Sequence, residues 1–306
     1  MTLTELRYIV AVAREKHFGR AADACFVSQP TLSVAIKKLE EELDVKLFER
    51  GASEVSVTPL GDEIVRQAQA TIESAASIKE IAKRGKDPLV GPLRLGVIYT
   101  IGPYLLPALV RRSIERMPQM PLVLQENFTI KLLEMLRTGE IDCAILAEPF
   151  PDAGLAVAPL YDEPFMIALP AGHALAKRKR ISSEELKKET MLLLGTGHCF
   201  RDHALEVCPE FARFASDAEG IRKSFEGSSL ETIKHMVASG MGITVVPHLS
   251  VPAERQPHVV YVNFAPPVPT RRVVLAWRRS FTRYEAIAAL RNAVYACELR
   301  GVKRLS

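Results

Sequence analysis

The sequence predicts an α+β chain in three parts: a winged helix-turn-helix over residues 1–58, a long linker helix over 59–87 and an α/β domain over 88–306. Three observations predict it. Apolar residues recur at helical spacing from Leu3 to Leu43, in short runs separated by turn residues. Thr58-Pro59 opens a new helical stripe that continues to Ile78. From Leu93 short apolar runs alternate with helical stretches, which implies α/β architecture with mainly parallel strands.

Leu3, Leu6, Ile9, Val10 and Ala13 make residues 2–15 an amphipathic helix. Phe18, Ala21, Ala22 and Cys25 form a second, shorter apolar face, with the Ala pair permitting close helix approach. Ser28 is a natural N-cap for the next helix, and Pro30 is tolerated in a first turn whose N–H groups lack partners anyway. With Thr31 at the third position there is no capping box. Leu32, Ile36, Leu39 and Leu43 give that helix its buried face. The other face starts with Gln29, Pro30, Thr31 and Ser33 and runs on to Lys37 and Lys38. Short polar groups suit base edges and cations suit phosphates, so helix, tight turn and capped helix read as a DNA-reading helix-turn-helix. The plainer alternative is a three-helix packing module with a solvated polar face. Leu47–Arg50 leads into Val55-Ser56-Val57, the second strand of a small wing, where Arg50 is a candidate phosphate contact.

Charge alone does not argue for nucleic acid. Net charge is +4 over 306 residues, but residues 1–58 carry eight Lys/Arg against nine Asp/Glu, so DNA binding rests on placement. Leu60, Ile64, Ala68, Ile72, Ala75 and Ile78 stripe the long helix, and Lys79, Lys83, Arg84 and Lys86 suit its C-terminal end. Such a helix needs a partner for its stripe and reads as a dimerisation element. Glu5, Arg7 and Arg14 interrupt any signal-peptide core, and the uncharged stretch Leu95–Val110 is short for a membrane span. A cytoplasmic protein with no membrane partner is expected, its five cysteines serving as free thiols, metal ligands or redox groups.

In the C-terminal part, strands are expected at 93–98, 122–126, 143–147, 165–169, 191–194, 243–246, 259–262 and 273–277, and helices at 130–138 and 230–239. Trp277 and Tyr284 read as packing. Cys25, Cys143 and Cys297 read as core residues. The chemically richest stretch is Gly195–Cys208, which sets Cys199 among His198, Arg201 and His203 and places Cys208 nine positions on. Cations lower a thiol pKa, so Cys199 is a candidate reactive cysteine. If the stretch is helical, the two Cα atoms stand roughly 13 Å apart, beyond disulfide range, and bonding would remodel it. Spacing alone leaves two other readings open: inert buried thiols, or a zinc site using His198, Cys199, His203 and Cys208.

Phe18-Gly-Arg-Ala-Ala22, Val27–Ser33, Lys38–Leu43, Leu47–Arg50 and Thr58–Gly61 together resemble the LysR-type transcriptional regulators. Gly51–Glu54 departs from the usual pattern by lacking a basic wing residue. The resemblance implies a regulatory domain like a periplasmic binding protein, with subdomain I at 88–162 and 266–306, subdomain II at 163–265, and a ligand cleft between. Gly197–Asp202 with Cys208, Tyr99–Leu105, Glu126–Thr129, Tyr161–Phe165 and Ser229–Thr232 resemble the peroxide-sensing members of that family. This implies Cys199 as the residue hydrogen peroxide oxidises and Cys208 as the thiol that captures it in a reversible disulfide. Thr100, Thr129, His198 and Arg201 are implied around the thiol, with Arg271 or Arg272 approaching. Promoter DNA, RNA polymerase and further copies of the chain, as a dimer of dimers, are the implied partners, with activation of oxidative-stress genes as the outcome. No cofactor and no enzymatic turnover are expected. The competing readings are a regulator switched by a small effector in the cleft, a zinc-responsive regulator and a thiol peroxidase.

Overall fold

The computed structural model describes residues 1–50, 55–84, 89–151, 154–209, 226–227 and 229–305, with the side chains of Arg50, 79–84 and 226–227 outside that description. The N-terminal third is helical. α1 (Leu3–Glu15) starts at a capping box between Thr2 and Glu5. α2 (Phe18–Ala24) starts where the His17 ring accepts the N–H groups of Gly19 and Arg20. α3 (Gln29–Leu43) starts where Ser28 accepts the N–H of Thr31. These caps satisfy donors that the first helical turns leave free. Leu6, Ile9, Val12, Ala21, Ala22, Leu32, Ile36 and Leu39 close one small core. β1 (Phe48–Arg50) and β2 (Val55–Val57) pair antiparallel as the wing, whose tip at 51–54 lies outside the described residues.

α4 (Pro59–Arg84) is launched by Thr58, whose hydroxyl donates to the Lys46 carbonyl and accepts the Gly61 N–H. Its stripe divides: Ala68, with Val65 beside the stripe, is buried in the N-terminal core, Ile64 and Ile72 pack against that core, and Leu60 and Ile78 are exposed. Further along, Glu73 Oε1 lies 2.6 Å from Arg278 Nε and its Oε2 accepts from Ser280, so the helix is tied to the C-terminal part by a buried ion pair.

The C-terminal part follows as β3 (Leu93–Ile98), α5 (Gly102–Arg116), β4 (Leu122–Asn127), α6 (Thr129–Arg137), β5 (Cys143–Ala147), β6 (Leu155–Pro170), β7 (Arg180–Ile181), α7 (Ser183–Leu186), β8 (Leu193–Leu194), α8 (Cys199–Val207), β9 (Glu226–Gly227), α9 (Leu230–Ala238), β10 (Thr244–Pro247), β11 (Val259–Phe264), β12 (Thr270–Arg278), α10 (Tyr284–Tyr295) and β13 (Lys303–Arg304). The sheet runs β4-β3-β5-β12-β6-β11-β7, with β10 and β13 also on β6. It is mixed rather than mainly parallel. β3 pairs parallel with β4 and β5, but β12 runs antiparallel to both β5 and β6. The cause is β6 itself, a single 16-residue strand where a short one at 165–169 was expected. It pairs with β12 up to Pro164, then with β10 and β11 from Phe165. One strand thus belongs to two halves, each with its own apolar core, the first around Leu95, Ile145 and Leu275 and the second around Phe165, Ile167 and Ile233.

Three smaller expectations change, while the packing role of Trp277 holds. The strand at 191–194 shrinks to β8 plus an isolated bridge from Met191 to Ile243. Tyr284 is 55% exposed, its hydroxyl donating to the Arg279 carbonyl, because it opens α10 on the solvent side. Trp277 is half-buried against the first core. Cys25 is half-buried at the edge of the helical core, whereas Cys143 and Cys297 are buried.

Candidate functional site

Local chemistry places Cys199. Gly197 holds φ +97°, a left-handed turn that glycine adopts without strain, and a Cβ there would come within 3.3 Å of the Phe128 ring. His198 is extended, and α8 begins at Cys199. The thiol therefore sits at a helix N-terminus, where the backbone dipole favours negative charge. Phe200 and Ala204 insert into the second core, and Cys208, fully buried at the end of α8, joins them. Cys199 packs instead against the first core. One helix thus sets two thiols into two different cores. Nine residues at about 1.5 Å rise hold their Cα atoms roughly 13 Å apart, against the roughly 4.4–6.8 Å that a disulfide spans.

Cys199 lines a cavity formed with Thr100, Phe128, Thr129, Gly197 and His198, with Tyr99 at its rim. The centre of a water-sized molecule has about 10 Å³ in which to move there, room for one very small polar guest. Thr100 and Thr129 are buried, and the Thr129 hydroxyl finds no hydrogen-bond partner at regular geometry among the described residues. The His198 ring packs 4.8 Å from Phe128 and 5.9 Å from Tyr99, centroid to centroid, so three rings wall off one side. Burial pushes the Cys199 thiol above its ordinary pKa. The Thr129 hydroxyl and, after it, the Arg271 guanidinium pull the other way, while Asp202 adds to the rise.

Arg271, not Arg272, reaches the site. Its Nη1 donates to Thr100 Oγ1 at 2.9 Å and its Nη2 to the Thr100 carbonyl at 3.0 Å. Arg272, one position on, points to the opposite face of β12 and pairs with Asp162 at the surface. Arg201 donates to the Leu194 carbonyl. His203 is buried with Nε2 2.8 Å from the Glu148 carbonyl and its ring beside Phe165 and Phe200, and burial lowers its pKa. Among the described residues no group of three or more His, Cys, Asp or Glu side chains is arranged to hold a metal ion.

The second site is the outer face of α3. Gln29, Pro30, Thr31 and Lys37 are exposed and Ser33 is half-buried. Lys37 lies 3.6 Å from Glu41, an exposed pair that yields readily to a phosphate. The Arg50 side chain lies outside the described residues. Val34, 67% exposed between these polar groups, was missed by sequence reasoning, although its place off the apolar stripe was the available signal. An exposed valine there suits a thymine methyl. Phe26, 96% exposed with φ +58°, stands on the turn before α3.

A capped recognition helix, a wing, a long helix and a two-core regulatory part built on crossing strands define a class of protein. Residues 3–62 match the bacterial regulatory helix-turn-helix protein, lysR family, and residues 86–296 match the LysR substrate binding domain. The chain belongs to the LysR family: it is a DNA-binding transcriptional regulator that acts as an oligomer. Within that family it is homologous to OxyR. It is 40% identical over 292 residues to the hydrogen peroxide-inducible genes activator of Pectobacterium carotovorum, covering 94% of this chain and 95% of that one. The full-length OxyR of Pseudomonas aeruginosa, a cysteine-to-aspartate variant, superposes with TM-score 0.79 at 50% identity, over 98% of this chain and 99% of that one. A Corynebacterium glutamicum OxyR cysteine variant with hydrogen peroxide bound superposes with TM-score 0.64 at 34% identity, over 96% and 91%. No described helix is long and apolar enough to cross a membrane.

Proposed function

We propose that this regulator senses hydrogen peroxide through a reversible Cys199–Cys208 disulfide and switches oxidative-stress genes from promoter DNA in the cytoplasm. The observation that carries the reading is Cys199 itself. It is a thiol at a helix N-terminus, opening into a cavity of one-water size between two threonine hydroxyls, with Arg271 behind. A hydroxyl can both donate to and accept from peroxide, and Thr100 and Thr129 supply one each. In the first step the Cys199 thiolate attacks one peroxide oxygen. The O–O bond breaks, a sulfenic acid forms, and hydroxide leaves to be protonated by solvent. In the second step the Cys208 thiol attacks that sulfur, the S–S bond forms, and water departs with the thiol proton. Two thiols and one peroxide thus become one disulfide and two waters.

Closing the bond has to unwind α8 and withdraw Cys208 from the second core, which converts oxidation into a change of shape. The likeness to OxyR supports two pairs of winged-helix units on one extended site, Gln29, Pro30, Thr31, Ser33, Lys37 and Arg50 as DNA contacts, and RNA polymerase as the downstream partner. It supports the division into 1–58, 59–87 and 88–306, with subdomain II at 163–265. His198 serves as a wall of the cavity, and Arg201 acts indirectly, by holding α8 to Leu194. The cleft reading, a switch worked by an organic effector, loses support from Arg271, Glu163, Tyr104 and Glu231, which satisfy one another between the two halves.

The test is footprinting of the full-length chain on its own promoter region, reduced and after peroxide. A footprint that changes for the wild type and not for C199S or C208S supports the switch. Identical footprints for reduced and oxidised wild type contradict it.

A further inference from the structure

Glu163 is a carboxylate that no solvent reaches: its side chain is 0% exposed. It lies at the point where β6 leaves the first half of the sheet, directly opposite Arg271 on β12. Its Oε2 accepts from Arg271 Nε at 2.8 Å and lies 2.7 Å from Nη2. Its Oε1 accepts the Leu249 N–H at 2.8 Å, from the turn that follows β10. Both oxygens are therefore committed, one to β12 and one to the turn that follows β10.

The consequence falls on Arg271. A guanidinium is a rigid plane with five N–H donors, so fixing one edge fixes the direction of the other. With Nε and Nη2 on Glu163, the outer edge is aimed at Thr100, whose hydroxyl and carbonyl it meets at 2.9 and 3.0 Å. The plane is also held over the Phe200 ring at 5.3 Å, against α8. Such a cation could not stay buried without its counter-charge. The charged and titratable groups facing the Cys199 thiol are Arg271 from β12, Asp202 from the first turn of α8 and His198 beside the cavity. Arg271 is the one cation of these whose position is set by a single partner carboxylate.

We propose, resting on the peroxide reading above, that Glu163 is a positioning residue for the oxidation of Cys199. It holds Arg271 where that guanidinium favours the attacking thiolate and the departing hydroxide, and it ties that geometry to the turn after β10 through the Leu249 N–H. Glu163 touches neither peroxide nor thiol; it acts through Arg271. Neither composition nor spacing marks it, because an isolated glutamate in an apolar strand is noticeable only once its partner is known.

The experiment measures the second-order rate of sulfenic acid formation on full-length protein carrying Cys208→Ala, with hydrogen peroxide and a dimedone trap, as a function of pH. E163Q, E163D, R271Q and the E163Q/R271Q double variant are compared with that parent. The expected result for E163Q is a fall of about tenfold near neutral pH, with the midpoint of the rate profile moved up by about one pH unit. E163D, which keeps the charge on a shorter arm, moves both in the same direction by less. In the R271Q background E163Q adds nothing, because its target is gone. A profile for E163Q that overlays the parent overturns the proposal, as does an E163Q effect that persists undiminished in R271Q. Should E163Q fail to fold, E163D decides by the same readout: a profile shifted upward supports the assignment and an unshifted one overturns it. A parent thiol that does not react with peroxide at all removes the peroxide reading, and this assignment with it.

Discussion

His203 gives the redox equilibrium of the Cys199–Cys208 pair a measurable handle. It sits on α8 four residues after Cys199, with Nε2 2.8 Å from the Glu148 carbonyl and its ring among Phe165 and Phe200. These contacts belong to the helical, reduced arrangement and are forfeited when the bond unwinds α8. His203→Ala removes a hydrogen bond of about 1 kcal/mol and ring packing of about 1 kcal/mol from the reduced form alone. A reduced form weakened by about 2 kcal/mol is easier to oxidise. For a two-electron couple that is a potential lower by about 40 mV. Redox titration in dithiothreitol buffers, read by the mass of alkylated protein, measures the shift, and thermal melts of the reduced variant confirm that it folds. A potential that stays put, or rises, would refute the claim that α8 is the element remade by oxidation.

Three further outcomes follow from the same geometry. Burial holds the Cys199 thiol above its ordinary range, so its neutral form dominates at pH 7; peroxide consumption should climb with pH through and beyond the usual thiol pKa of about 8.5, and a plateau below neutrality would contradict this. Thr129→Val keeps the shape and deletes the hydroxyl that opposes that rise, so the rate near neutral pH should drop about fivefold with an unchanged melt. On DNA, Gln29→Ala should relax sequence preference at one position by about 1–3 kcal/mol, whereas Lys37→Ala should weaken all sequences alike and reduce the salt slope by about one; binding isotherms on operator and scrambled duplexes separate the two.

The N-terminal third was legible because its signals are local. Ser28, Pro30 and the spacing of Leu32, Ile36 and Leu39 lie within one helix, and the structure returns the cap and the buried face. The thiol site was legible only in part. Cys199 and Cys208 stand out by type, but a helix between them entered the sequence reading only as a condition. That they enter separate cores depends on which half each helix face meets, which no local pattern encodes. Arg271 and Arg272 could not be told apart because neighbouring strand residues point to opposite faces, and only the pairing of β12 with β6 decides which face is buried. The same long-range pairing turned an expected parallel sheet into a mixed one and hid Glu163. Tyr284 misled because an aromatic residue at a helix start looks apolar in sequence whether or not a neighbour covers it.

The most direct test of the account is the mass and free-thiol count of the reduced full-length chain after one equivalent of hydrogen peroxide, with peptide mapping. The account predicts a loss of two hydrogens, a Cys199–Cys208 cross-linked peptide, and Cys25, Cys143 and Cys297 still free. Unreacted thiols, or a disulfide joining any other pair, would contradict it.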